Sequence, residues 1–184
     1  MRKIIVSNLV SLDGFFEDEN HQLDWFVVEE EFLEYARNML NSVDIILFGR
    51  RTYEYMADYW PNDTDNDPVI THKMNNLAKI VFSTSLKTVD WNNSILIKDN
   101  IEEEMIRLKQ QHGKDMVILG SGTIVSAFAQ LGLIDEYRII VNPVILGKGT
   151  PLFQNVEERI KLRLLTTERL SSGVIILYYE PDVN

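Results

Sequence analysis

The sequence predicts an α/β fold built on a mostly parallel mixed sheet that ends in an antiparallel hairpin. Three observations predict it. Short apolar runs such as Ile45–Phe48, Lys79–Phe82 and Met116–Leu119 stop abruptly at glycine or hydroxyl residues, as buried parallel strands do. Amphipathic stretches of helical period separate them, which is the βαβ pattern. The last two strand-like segments flank the turn Leu170-Ser171-Ser172-Gly173, a hairpin signal.

Taken in order, Lys3 to Val10 reads as a strand that ends in the turn Ser11-Leu12-Asp13-Gly14. Glu29 to Leu40 reads as a helix: Phe32, Leu33, Ala36, Met39 and Leu40 recur at helical spacing, and three glutamates open it where the helix dipole favours negative charge. Ile45–Phe48 is a strand stopped by Gly49; a short helix follows from Thr52 to about Tyr59, then a polar loop from Trp60 to Pro68. Lys79–Phe82 and Ser94–Ile97 are strands, Ile101 to Gln111 a helix facing Met105 and Leu108 inward, and Met116–Leu119 a strand feeding a helix from Thr123 to Leu131. Tyr137–Val141, Leu162–Glu168 and Val174–Glu180 complete the sheet. No repeat, low-complexity segment or linker divides the 184 residues, so one domain over 1–184 is expected.

Composition narrows the function. Apolar content of 45% and charged content of 25% are those of a globular chain. A net charge of −10 argues against nucleic acid as a partner, because a phosphate backbone needs a basic face. The absence of cysteine removes disulfides, thiolate metal sites and cysteine nucleophiles. Polar residues interrupt the first apolar run too early for a signal peptide, and no stretch approaches the roughly 20 apolar residues of a membrane span. A cytoplasmic protein with a small-molecule substrate and no membrane partner is the expectation.

Three junctions carry chemistry. "VILGSGTIVSAF" (117–128) is strand, glycine turn and helix. It lacks the third glycine of a dinucleotide fingerprint, Val125 standing there, and no Gly-Lys-Ser/Thr follows as a P-loop needs. Alone it is either a tight corner or an anion cradle at a helix N-terminus. "FGRRT" (48–52) is a second such junction, with two guanidiniums suited to phosphate or, alternatively, to surface carboxylates. "FSTS" (82–85) is a third strand end, carrying three hydroxyls. Ligands bind outside the carboxyl ends of parallel strands, so one ligand with several phosphates fits all three.

Other constellations fail. "DTDNDP" (63–68) mimics a calcium loop, but Pro68 replaces its glycine and Met74 its bidentate glutamate. His21, His72 and His112 have no metal-ligand spacing, and no Gly-x-Ser-x-Gly elbow exists. No metal is expected.

"GRRTYE", "VFSTS" and "LGSGTI" resemble, in order and spacing, segments of the dihydrofolate reductases. "SLDGFF" (11–16) and "LGLIDEYRIIVNPVILGKGTPLF" (131–153) resemble the C-terminal reductase domain of the bifunctional deaminase-reductase of riboflavin biosynthesis. The resemblance covers nearly the whole chain. It implies a three-layer α/β/α fold and an NADPH-dependent reductase. It also implies a phosphate role for Arg50 and Arg51, with Gly49 at their corner and Thr52 on the pyrophosphate. Ser83 and Thr84 would join the ribose 2′-phosphate site, and Gly120, Ser121, Gly122, Thr123 and Ile124 would wrap the pyrophosphate and nicotinamide side. For the substrate side, Glu31 or Glu30 is the first-helix carboxylate, depending on whether the helix is aligned from "RNML" or from Trp25; either is otherwise a helix-start charge. Asp13 faces the cleft and, like Glu31 of the first helix, is a candidate to handle the proton, or it merely shapes its turn. Trp25 would belong to a lid or to packing, and Asn142 opens a segment, 142–149, that lines the substrate end or braces a homodimer. The substrate implied is a ribosylamino-uracil phosphate or that of a paralogue. The alternatives are dihydrofolate, or nucleotide binding without catalysis.

Overall fold

The computed structural model describes residues 1–182. Ten strands and five α-helices alternate along it. β1 (Ile4–Ser11) is followed by the short β2 (Phe15–Glu17), α1 (Glu30–Ser42), β3 (Val43–Gly49) and α2 (Arg50–Tyr59). A 3-10 turn (Trp60–Asn62) leads to α3 (Pro68–Asn76), β4 (Ala78–Phe82), β5 (Ser94–Ile97) and α4 (Ile101–Gln110). β6 (Asp115–Leu119), α5 (Gly122–Gln130), β7 (Glu136–Asn142), β8 (Thr150–Pro151), β9 (Leu162–Arg169) and β10 (Ile175–Pro181) complete it.

Eight strands form one sheet in the order β5-β4-β3-β6-β1-β7-β10-β9. The six from β5 to β7 are parallel; β10 runs antiparallel to β7 and to β9, so the terminal hairpin extends the sheet as expected. β2 and β8 make a separate two-stranded antiparallel ribbon.

Alternation along the central strands sends side chains to two cores. Ile4, Val6, Ile45, Leu47, Met116 and Ile118 pack with α4 and α5 on one face. Ile5, Ile46, Phe48, Val81 and Val117 pack with α1, α2 and α3 on the other. This is the three-layer arrangement, and it explains why the central strands read as unbroken apolar runs. Among the described residues, no helix is long and apolar enough to cross a membrane.

Two helices depart from expectation. α2 begins at Arg50 rather than Thr52, so β3 passes into a helix with no intervening loop. α3 was not expected at all: Asp67 caps it by accepting from the N–H groups of Val69 (2.9 Å) and Ile70 (3.1 Å), with Pro68 at its first position. Its far end is held by Lys79, a wholly buried lysine of β4. The Lys79 ammonium donates to the carbonyls of Asn75 (3.0 Å), Leu77 (2.8 Å) and Asn92 (3.0 Å) and lies 4.3 Å from the centre of the Trp91 ring. A cation on the last carbonyls of a helix complements its dipole. Burial draws the Lys79 pKa down to about 8.

Candidate functional site

β3 and β6 are neighbours in the sheet, and each runs directly into a helix. α2 leaves toward one face and α5 toward the other. Two helix N-termini therefore meet at adjacent strand tips, each bringing a partial positive charge and backbone N–H groups without intrahelical acceptors. In α5 the first intrahelical acceptor is the Ser121 carbonyl, which takes the N–H of Val125 at 3.0 Å. The N–H groups of Gly122, Thr123 and Ile124 precede that bond.

The glycine turn is pinned in an uncommon conformation. Gly120 and Ser121 have φ of +61° and +56°, which glycine adopts freely and serine does not. Three long-range bonds hold it there. The Ser121 N–H donates to Thr52 Oγ1 (2.9 Å), the Gly49 N–H donates to Ser121 Oγ (3.0 Å), and Asn8 Nδ2 donates to the Gly120 carbonyl (2.8 Å). Close approach explains the glycines. A Cβ on Gly49 would stand 2.9 Å from Ile124 Cγ1, one on Gly120 would stand 2.9 Å from Thr52 Cγ2, and one on Gly122 would stand 2.8 Å from the Phe16 ring and 3.2 Å from the Leu152 carbonyl. The β2–β8 ribbon thus lies over Gly122, while Thr123 is exposed.

Arg50 joins the third strand tip to this junction. Its guanidinium donates to Ser85 Oγ at 3.0 Å, and Ser83 Oγ lies 3.3 Å from Ser85 Oγ while accepting from the N–H groups of Ser85 and Leu86. Thr84 is exposed between them. Ser85, part of the "FSTS" run but not singled out with Ser83 and Thr84, is the hydroxyl that Arg50 reaches. Both arginines also have a carboxylate partner: Arg50 pairs with Glu54 (3.1 Å) and Arg51 with Glu17 (3.4 Å). The Arg50–Glu54 pair is exposed on both sides and worth little, so an anion can displace it at small cost, whereas Glu17 is largely buried and also engages Thr150 and His21. The Thr52 hydroxyl accepts from Ser121 and retains its own proton to donate.

The residues singled out for the substrate side lie at the same end of the sheet, around the tips of β1, β7 and β10, where they tie loops together. Asp13 is exposed and accepts from the N–H groups of Leu146 (3.1 Å) and Gly147 (2.8 Å). The Ser11 hydroxyl and these backbone N–H groups hold its carboxyl below the usual value, and its two bonds brace the loop after β1 against the one after β7. Asn142 is wholly buried, its Oδ1 accepting from the Val27 N–H at 2.9 Å. Glu31 accepts from the Ser171 N–H at 2.6 Å in the β9–β10 turn, and Glu30 pairs with Arg37. Trp25 is half-buried, donating from Nε1 to the Gln22 carbonyl (3.2 Å) and meeting Phe26 edge-on.

Glu31 also rims a groove of about 470 Å³ between α1 and the β7–β10–β9 edge, with Glu34, Tyr35, Arg138, Glu168 and Tyr178. Several of its polar groups already have protein partners. Tyr35 hydrogen-bonds Ser7 at 2.8 Å, Arg138 pairs with Glu136 at 2.7 Å, and Tyr178 donates to Glu168 at 3.0 Å. Burial raises the pKa of both tyrosines. The glycine turn does not line this groove.

Sequence reasoning missed Asn8, which touches the glycine turn from β1, Phe16 of the ribbon, and Leu152 just past its second strand. For Asn8 a signal existed: an amide inside an otherwise apolar strand is either paired or functional.

Comparison with known proteins places this geometry in a family. The model of the RibD C-terminal domain family matches residues 2–176. The uncharacterized protein YyaP of Bacillus subtilis (strain 168) is 37% identical over 180 residues, covering 97% of this chain and 94% of YyaP. Among solved structures, the Thermotoga maritima diaminohydroxyphosphoribosylaminopyrimidine deaminase/5-amino-6-(5-phosphoribosylamino)uracil reductase superposes with a TM-score of 0.71 at 17% identity, over 98% of this chain and 57% of its own. A dihydrofolate reductase from Enterococcus faecalis, complexed with NADP(H), superposes with a TM-score of 0.67 at 12% identity, over 98% and 96%. The fold is therefore dihydrofolate reductase-like, and the chain belongs to the RibD C-terminal domain family.

Proposed function

We propose that the protein is an NADPH-dependent reductase that delivers hydride to an electron-poor C=N or C=O bond of a small heterocyclic or pentose-derived substrate. The observation that carries this reading is the meeting of two helix N-termini and Arg50 at neighbouring strand tips. Arg50 with Ser83, Thr84 and Ser85 would hold the ribose 2′-phosphate. The N–H groups that open α2 and α5, with the Thr52 and Thr123 hydroxyls, would hold the pyrophosphate. Bound there, the cofactor supplies the hydride. The chain's part is to orient and enclose it, with Phe16 and Leu152 covering the turn at Gly122.

The substrate would lie beyond, among the tips of β1, β7 and β10. Asp13, Asn142 and Glu31 fix the walls of that space, and Trp25 stands on the segment that Asn142 anchors at Val27. The Ser11 hydroxyl and two backbone N–H groups favour the ionised form of Asp13, which leaves it no proton to give, so the proton that follows hydride is assigned to water or to the substrate. The first substrate to test is 5-amino-6-(5-phosphoribosylamino)uracil, on which the T. maritima relative's name says it acts. Dihydrofolate is the second, and Glu31's engagement with Ser171 argues against it. This reading includes a cytoplasmic setting and a homodimer; β9 is exposed along its length and carries Leu162, Leu164 and Leu165. The test is loss of reduced-nicotinamide absorbance with each substrate, using NADPH and NADH in parallel. Turnover of the uracil compound with preference for NADPH supports the reading. Failure to bind NADPH at all removes it.

A further inference from the structure

Asn8 stands inside β1 at 2% exposure, beside the glycine turn. Its Nδ2 is spent on the Gly120 carbonyl, and its Oδ1 is buried with no hydrogen-bond partner. Among the described residues only one other buried side-chain atom, Ser94 Oγ, shares that condition. Buried acceptors are nearly always paired, so an unpaired one whose own amide grips a ligand cradle marks where a ligand's donor belongs.

The strand order says which donor. The tips run β4, β3, β6, β1 across the sheet, about 4.8 Å apart at each step. The hydroxyls beside Arg50 follow β4, the two helix N-termini follow β3 and β6, and Asn8 lies on β1. A dinucleotide laid with its 2′-phosphate at β4 and its pyrophosphate between β3 and β6 brings its nicotinamide end to β1. The carboxamide is the group on that end with N–H donors, and it is uncharged, as a buried lone acceptor requires.

Resting on the NADPH reading, we propose that Asn8 Oδ1 accepts a hydrogen bond from the nicotinamide carboxamide and so fixes the rotation of the ring. The bond to Gly120 holds the Asn8 amide in the orientation that presents Oδ1, so the turn that receives the pyrophosphate also sets the nicotinamide.

The test compares NADPH with its reduced 3-acetylpyridine analogue, in which a methyl group replaces the carboxamide nitrogen, by quenching of tryptophan fluorescence. Wild-type protein is expected to bind NADPH about tenfold more tightly than the analogue, the value of one lost hydrogen bond. In Asn8→Leu the ratio falls to about one. Equal binding of both by wild type, or a ratio that survives in Asn8→Leu, overturns the inference and leaves the NADPH reading standing. If wild type binds neither compound, the cofactor reading itself fails and this inference with it. If Asn8→Leu does not fold, Asn8→Ser, which keeps a small polar residue but withdraws the amide oxygen, is read the same way, and a ratio that survives in it overturns the inference.

Discussion

Gly120→Ala tests the construction of the cradle directly. Gly120 has φ of +61°, a conformation that costs an L-residue about 1–2 kcal/mol. The new Cβ would also stand 2.9 Å from Thr52 Cγ2, closer than carbon atoms approach. Thr52 must move, and its Oγ1 then loses the Ser121 N–H, now at 2.9 Å, for about another 1 kcal/mol. The expected loss is about 2–3 kcal/mol. Thr52→Ser deletes the obstructing methyl and keeps the hydroxyl, so it isolates the steric part. By itself it costs about 0.8 kcal/mol for one methyl. In the Gly120→Ala background it should instead recover stability, giving a coupling of about 1 kcal/mol or more between the two sites. Urea unfolding of the four proteins measures the cycle. Strict additivity, with Thr52→Ser costing the same in both backgrounds, would refute the argument that these residues meet across the junction.

Arg50→Ala should weaken NADPH binding by roughly 10- to 100-fold and leave NADH nearly unchanged, since a charge-assisted contact to the 2′-phosphate is what is lost. Equal weakening of the two, measured by fluorescence titration, would remove Arg50 from the 2′-phosphate. Lys79→Met should destabilise the fold by about 2–4 kcal/mol in chemical denaturation, because it strips a shared donor from three carbonyls; a loss below 1 kcal/mol would contradict its role as the cap of α3. Glu136 gives a pH signature. Burial would raise its carboxyl, but Arg138 (2.7 Å) and Lys3 (3.1 Å) outweigh that and hold it below 4.5. A depressed carboxyl contributes stability above its unfolded value and loses it as pH falls. The advantage of wild type over Glu136→Gln in urea should therefore be full at neutral pH and shrink below about pH 4.5; an advantage that grows on acidification would contradict it.

The parts of the fold that were legible in the sequence are those set by local pattern. Ile45–Phe48 and Met116–Leu119 announce buried parallel strands because both faces of the central sheet are covered. The glycines at 49, 120 and 122 announce tight corners because no other side chain fits. What stayed hidden depends on partners distant in sequence. Asp13 chooses its bonds 133 residues away at Leu146, and Glu31 finds Ser171 140 residues on, so their chemistry suggested proton handling while their geometry ties loops. Lys79 reads as the polar start of a strand, and only the tertiary fold turns it into a buried helix cap. α3 was missed because it shows only Ile70 and Met74 as buried positions, too sparse a stripe to read as a period, although Asp67-Pro68 is a legible start. β2 and β8, three and two residues long, are too short for alternation to appear.

The most direct test of the account is the map of amide chemical-shift changes when NADPH is added to isotope-labelled protein. The account expects the changes to concentrate on Asn8, Gly49–Thr52, Ser83–Ser85 and Gly120–Ile124, the residues that the sheet order gathers at four neighbouring strand tips. Changes that instead centre on the groove between α1 and the β7–β10–β9 edge, at Tyr35, Arg138 and Tyr178, would place the ligand elsewhere and contradict it.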